Sequence, residues 1–248
     1  MEGDQKVTFL LKGPGHHALI LAMRVIRQIS VGILSVLLLI TGFCQAEARI
    51  YGEVFARAMA LHPDTKRGET AFLARCSACH GEDAWGSYDG EYPQLAGQHA
   101  KVIIKQLSDI HAGIRSNPKM TPVVKELVNE APQLVADIAG YLEGLPMNPY
   151  PEEGYAEDLA VAELTYRQKC ASCHGIKGEG DGSKLYPLVQ GQHYEYLLRE
   201  MRWLRDGERG NADPKMVEQI RDMSDDELAL MADYLSRLMP PAERLGED

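Results

Sequence analysis

Cysteine is scarce, and the little there is occurs in pairs. Of 248 residues five are cysteine. Four of them fall in two matching frames, Cys76-Ser77-Ala78-Cys79-His80 and Cys170-Ala171-Ser172-Cys173-His174. Excess positive charge is also missing: 26 Lys and Arg stand against 36 Asp and Glu, a formal net charge of −10. That excludes nucleic acid as a partner, since such binding rests on neutralising phosphates with Lys and Arg. No convincing strand flanks either cysteine frame. A thioredoxin-type dithiol wants a βαβ setting and is set aside. A zinc ribbon whose two pairs lie 94 residues apart would be unusually open.

What remains for C-x-x-C-H is attachment of a c-type haem. Two thiols three positions apart reach the two vinyl groups of one porphyrin and form thioethers. The adjacent histidine then lies under the iron. The expected thioether residues are Cys76 and Cys79 for one haem and Cys170 and Cys173 for the other. His80 and His174 are the expected iron ligands.

Charge is absent from residues 28–46, whose apolar centre is Ile29 to Phe43. Arg24 and Arg27 precede this stretch and Ala46-Glu47-Ala48 follows it. Basic flank, apolar centre and A-x-A site read as a secretory signal over 1–48, cleaved after Ala48, with Met23 an alternative start. The competing reading is an uncleaved anchor in the inner membrane. Cys44 follows Phe43 rather than a small residue, so it is not an acylation site and leaves with the signal. The exported chain then has no spare thiol.

The two frames belong to a longer repeat. At the same offset Pro93 matches Pro187, Gly97-Gln98-His99 matches Gly191-Gln192-His193, and Gly113 and Arg115 match Gly207 and Arg209. After a two-residue insertion Pro118-Lys119-Met120 matches Pro214-Lys215-Met216. The chain therefore reads as two all-α domains, 49–146 and 159–248, joined by a linker over 147–158. Gly68 to Ala78 is helix-compatible, with Phe72 as its apolar anchor and Tyr166 as the equivalent. Ile103, Leu107, Ile110 and Ile114 predict a helix after Gln98, as do Tyr194, Leu197, Met201 and Leu204 in the second copy. Closing helices are expected from Pro132 and from the capping box Ser224-Asp225-Asp226-Glu227. Residues 49–149 hold 12 acids and 10 bases, residues 150–248 hold 21 and 12. The acidic second half serves solubility or, more sharply, orients docking partners.

Each iron needs a second axial ligand. Met120 is the one methionine between the first frame and the linker. The repeat selects Met216 in the second copy, while Met201, Met223 and Met231 fit core packing better. His99 and His193 are expected on the surface or at helix caps, and His62 and His111 in solvent. His/Met ligation raises the potential of an iron and fills its sixth position, which suits electron passage and not bond chemistry. The carbonyls of Pro93 and Pro187, each 13 residues past its histidine, are expected to accept the free N–H of His80 and His174, the alternative being prolines that only make turns.

These motifs together, with Leu95 to His99, its echo at Val189 to His193, and the methionines after Asn-Pro and Asp-Pro, resemble the dihaem cytochromes c of the cytochrome c4 type. The resemblance covers nearly the whole chain after residue 48. It implies two class I cytochrome c domains about a pseudo-twofold axis, two covalently bound haems, and a periplasmic carrier. The implied partners are a cytochrome bc complex and a terminal oxidase or reductase, with no small-molecule substrate. Loose association with the membrane surface stays open. An electron-transfer subunit of a dehydrogenase complex is the main alternative. A thiosulfate-dehydrogenase-like enzyme would want a cysteine or another replaceable ligand, and a peroxidase-like one an open iron. The lead over 49–67 and the aromatic loop with Trp85, Tyr88 and Tyr92 depart from the family pattern.

Overall fold

Two copies of one helical unit follow each other in the computed structural model, which describes residues 55–155 and 158–246. The expected signal segment lies outside those residues. The first copy has α1 Thr65–Arg75, α2 Ser77–His80, α3 Ala100–His111, α4 Met120–Glu130 and α5 Pro132–Gly144. The second repeats it as α6 Leu159–Lys169, α7 Ala171–His174, α8 Tyr194–Arg205, α9 Pro214–Ile220 and α10 Asp225–Ser236. Among the described residues there is no named strand, only two isolated bridges.

Each cysteine frame is a helical break followed by one turn. Asp64 starts α1 by accepting from Arg67 N at 3.1 Å. At Cys76 the chain leaves the α1 axis, and Ser77–His80 forms a separate turn that ends at Gly81. The helix expected over Gly68 to Ala78 is thus two pieces. Cys170 makes the same break between α6 and α7. α1 crosses α5 closely at Gly68, where a Cβ would stand 2.1 Å from the Asp137 carbonyl oxygen. The second copy makes the equivalent crossing with Ala162, fully buried.

Apolar periodicity sets the rest. Ile103, Leu107 and Ile110 of α3 enter the first core with Phe72, Ile138 and Leu142. Leu197, Met201 and Leu204 of α8 enter the second with Tyr166, Leu228 and Met231. Ile114 does not belong to this stripe: α3 ends at His111, Gly113 turns at φ 71°, and Ile114 is exposed. The capping box at Ser224 and Glu227 is formed in both directions. The two Pro-Lys-Met segments open helices, α4 and α9.

Residues 147–158 are more than a tether. Met147 and Asn148 are buried, and Met147 N donates to Arg244 O while Gly246 N donates to Met147 O, both at 2.8 Å. Arg244 Nη2 also reaches Gly97 O at 2.7 Å. The tail of the second copy is thereby strapped to the first. The lead packs as well: Ala58 is buried, and Phe55 and Met59 lie against the first core.

Candidate functional site

The helical turn after each first cysteine turns its histidine inward. His80 is 4% exposed. Its Nδ1 lies 3.2 Å from the Pro93 carbonyl oxygen, and His174 Nδ1 lies 3.0 Å from that of Pro187. A carbonyl only accepts, so Nδ1 carries the proton in each ring and Nε2 keeps its lone pair. Burial holds both imidazoles below their ordinary pKa, with the proline carbonyl opposing it. They are neutral at neutral pH, the form that binds a metal. The Tyr92 ring stands edge-on to His80 at 5.9 Å, which fixes that ring further.

His80 Nε2 is buried and has no hydrogen-bond partner. A buried nitrogen left unsatisfied costs about 1–3 kcal/mol, so the position fits a ligand to iron. The cysteines fit too. None of the four is in a disulfide, and before attachment burial would push the thiols of Cys76 and Cys170 up to about 11. A cavity of about 970 Å³ runs through both copies. It is lined by Cys76, His80 and Met120 and by Cys170, Cys173, His174 and Met216, with an apolar wall from both cores. Cys79 is exposed and does not line it. Both methionines are half-buried at helix starts. Asn117 Oδ1 accepts from Met120 N at 3.1 Å, and Asp213 Oδ1 from Lys215 N at 2.8 Å. Met201, Met223 and Met231 are buried in the second core.

The repeated Gly-Gln-His does something else than expected. His193 is buried, not on the surface, and neither His99 nor His193 caps its helix with its side chain. Each instead reaches the other copy. His99 Nε2 lies 2.8 Å from Glu179 O, and His193 Nε2 lies 2.7 Å from Trp85 O. His193 Nδ1 accepts from Glu152 N at 3.2 Å, so the ring is neutral with its proton on Nε2. The glutamines pair with backbone. Gln98 exchanges two bonds with Leu188 N and O at 3.0 and 2.9 Å. Gln192 exchanges two with Gln94 N and O, both at 2.9 Å. Leu188 stands at the repeat position of Gln94, so the contacts are reciprocal. The sequence carries a signal for this: a trio repeated at one offset, outside any ligand motif, is a candidate twofold contact. In the aromatic loop, Trp85 Nε1 donates to Pro146 O at 2.9 Å while Tyr88 stays largely exposed. His62 is exposed and His111 half-buried.

A cytochrome c family profile matches residues 65–145 and 160–239, one segment per copy. The chain is 34% identical over 184 residues to the thiosulfate dehydrogenase electron acceptor of Stutzerimonas stutzeri (strain A1501), covering 70% of this chain and 83% of that protein. It is 31% identical over 183 residues to cytochrome c4 of Azotobacter vinelandii, covering 66% and 85%. The crystal structure of reduced recombinant cytochrome c4 from Pseudomonas stutzeri superposes with a TM-score of 0.62 at 26% identity, over 72% of this chain and 100% of that one.

Proposed function

The chain belongs to the cytochrome c family in its two-domain, c4-type form and carries two covalently bound c-type haems, and from that premise we propose that it is an exported carrier that takes electrons from one redox protein and gives them to another, one electron per haem. The observation that carries this reading is the same arrangement twice over: a histidine tied through Nδ1 to a proline carbonyl, sharing a cavity with a helix-start methionine.

In this reading Cys76 and Cys79 would hold the first haem, and His80 and Met120 would ligate its iron. Cys170, Cys173, His174 and Met216 would do the same for the second. Bound haem supplies a one-electron iron couple. The proline carbonyls fix the ring orientation and raise the basicity of each histidine. Methionine sulfur as the second ligand to each iron would favour the reduced state. The apolar wall excludes water, which lowers the cost of reorganisation when charge moves. Export is supported by the uncharged stretch at 28–46 with its basic flank and Ala46-Glu47-Ala48.

The test is an optical and magnetic spectrum of the matured protein, with haem counted per chain and its N-terminus sequenced. Two haems, low-spin iron and the ferric band of sulfur–iron ligation are expected, with Arg49 first. Met120→Ala and Met216→Ala should each remove half of that band. A high-spin component in the unaltered protein that shifts when a small ligand is added would move the reading to an enzyme, and Met216 would be the first ligand withdrawn.

A second reading is favoured by one relative, named as a thiosulfate dehydrogenase electron acceptor. Here the carrier chemistry is unchanged and the donor is a dehydrogenase. Rapid reduction by a thiosulfate dehydrogenase with its substrate, and not by a cytochrome bc complex with quinol, would select it.

A further inference from the structure

One side chain of the second copy takes hold of the loop that serves the first histidine. Arg199 stands on α8 between Tyr196 and Trp203. Its guanidinium lies over both rings, 5.1 and 5.2 Å from their centroids. Stacking of this kind leaves the donors at the edge of the planar group free. There Nη1 donates to Gly90 O at 2.6 Å and Nη2 to Glu91 O at 3.4 Å. Nη2 also stands 3.9 Å from Glu200. Gly90 is pressed against α8: it turns at φ 66°, and a Cβ there would meet Tyr196 N at 2.4 Å.

The gripped segment runs straight on into the first axial set. Glu91 pairs with Lys119, the neighbour of Met120. Lys119 also lies over the Tyr92 ring, 5.8 Å from its centroid. Tyr92 stands edge-on to His80, and its backbone closes on Ser87 through bonds of 2.9 and 3.1 Å. Pro93 supplies the carbonyl that faces His80 Nδ1. Three consecutive residues thus reach both the histidine side and the methionine side of one site. The repeat does not return the grip. The positions on α3 that match Tyr196, Arg199 and Trp203 hold Val102, Lys105 and Asp109. They offer no ring to stack on, and Lys105 pairs with Asp109 of its own helix. Leu185 stands where the first copy has Glu91, so it has no charge to offer Lys215.

We propose that Arg199 is a positioning residue for the first axial set: it holds Glu91 to Pro93 in place, so that the second copy tunes the reduction equilibrium of the first iron. This rests on the dihaem reading above. The lever is His80. A carbonyl that accepts its Nδ1–H raises the basicity of the ring and favours ferric iron. A loosened loop weakens that bond and moves the equilibrium toward ferrous. The second iron is not governed in this way, because the first copy lacks the stack.

Arg199 also lines the cavity, so the test must keep its charge. Arg199→Lys does so, but an ammonium neither lies flat on two rings nor forks to two carbonyls. The experiment is a redox titration of the matured protein, with each haem followed by the NMR methyl signal of its axial methionine. Met120→Ala and Met216→Ala assign the two signals. Arg199→Lys should shift the first haem toward ferrous by twofold or more, move the His80 ring signals, and leave the second haem in place. Tyr92→Leu should shift the first haem as well. The double change should shift it by less than the product of the two single factors, since one loop carries both effects. A role in charge alone predicts full rescue by lysine. A first haem that stays in place or turns more ferric, equal shifts in both haems, or a double change equal to the product would overturn the proposal. Fewer than two haems, or a missing methionine signal in the unaltered protein, would instead sink the dihaem reading, so the two failures are told apart.

Discussion

One hydroxyl separates the two copies at the residue under each cysteine frame. Phe72 and Tyr166 are both fully buried, and each ring tilts against a tyrosine of the closing helix, at 5.8 and 5.5 Å. Tyr166 alone has an oxygen, and its OH donates to the Gly175 carbonyl at 2.6 Å. Burial pushes this phenol well above its ordinary pKa, so it stays a donor across the working range. Gly175 follows His174, and the bond pins the end of α7. Tyr166→Phe keeps the ring and leaves the Gly175 carbonyl with only the 3.5 Å bond from Gly178 N, a loss of about 1 kcal/mol. Denaturant unfolding of the matured protein should show a lower midpoint at unchanged slope. The haem spectrum should not change. An unchanged midpoint would mean that the hydroxyl does not help to hold the turn.

At the scale of elements, the closing helix of each copy holds a buried aspartate that ties down the chain entering that copy. Asp137 of α5 accepts from Asp64 N at 2.8 Å, from Gln133 Nε2 at 2.8 Å and from Arg67 Nε. Asp233 of α10 accepts from Gly154 N at 2.9 Å and from Arg237 Nε at 2.7 Å. Burial alone would raise the Asp137 pKa, but the bonds from Arg67, Asp64 and Gln133 outweigh it and the net shift is downward. A carboxyl held below its unfolded value stabilises the fold above that value, and this contribution is lost as pH falls through the folded one. Asp137→Asn should cost about 2 kcal/mol at pH 7, discounted for the half-exposed Arg67. The gap from the unaltered protein should narrow at pH values below about 4. Equal gaps at both pH values would refute the charged role.

What could be read from sequence at this scale follows from range. α3, α8 and α10 were legible because three or more apolar residues repeat at helical spacing. Both cysteine frames were legible because their chemistry is confined to five residues, and the proline carbonyls because they sit 13 residues from each histidine. α4 and α9 were not. Asn-Pro and Asp-Pro mark a turn and a helix start equally well, since proline is tolerated in the first helical turn. α9 is also only seven residues long, too short to display a period. The His193 contact spans 108 residues, and nothing local in Gly-Gln-His announces it.

For the whole molecule, the duplication means that each solution found by one copy appears twice across the seam. Gln98 and Gln192 satisfy four backbone groups of the opposite copy. Such bonds contribute roughly 0.5–1.5 kcal/mol each. Gln192 is buried and Gln98 half-buried, so Gln192→Ala should be the more costly single change. The two glutamines lie on opposite sides of the pseudo-twofold and share no partner, so their costs should add. The double change should remove about 4 kcal/mol of coupling between the copies. While coupled, the copies unfold as one cooperative unit. Without it each core should melt at its own temperature, since the two differ in composition and in the Tyr166 bond. Calorimetry of the matured double variant should therefore resolve two transitions where the unaltered protein gives one. A single transition at the original temperature would show that the Arg115–Glu200 ion pair and the strap at Met147 hold the copies together without the glutamines.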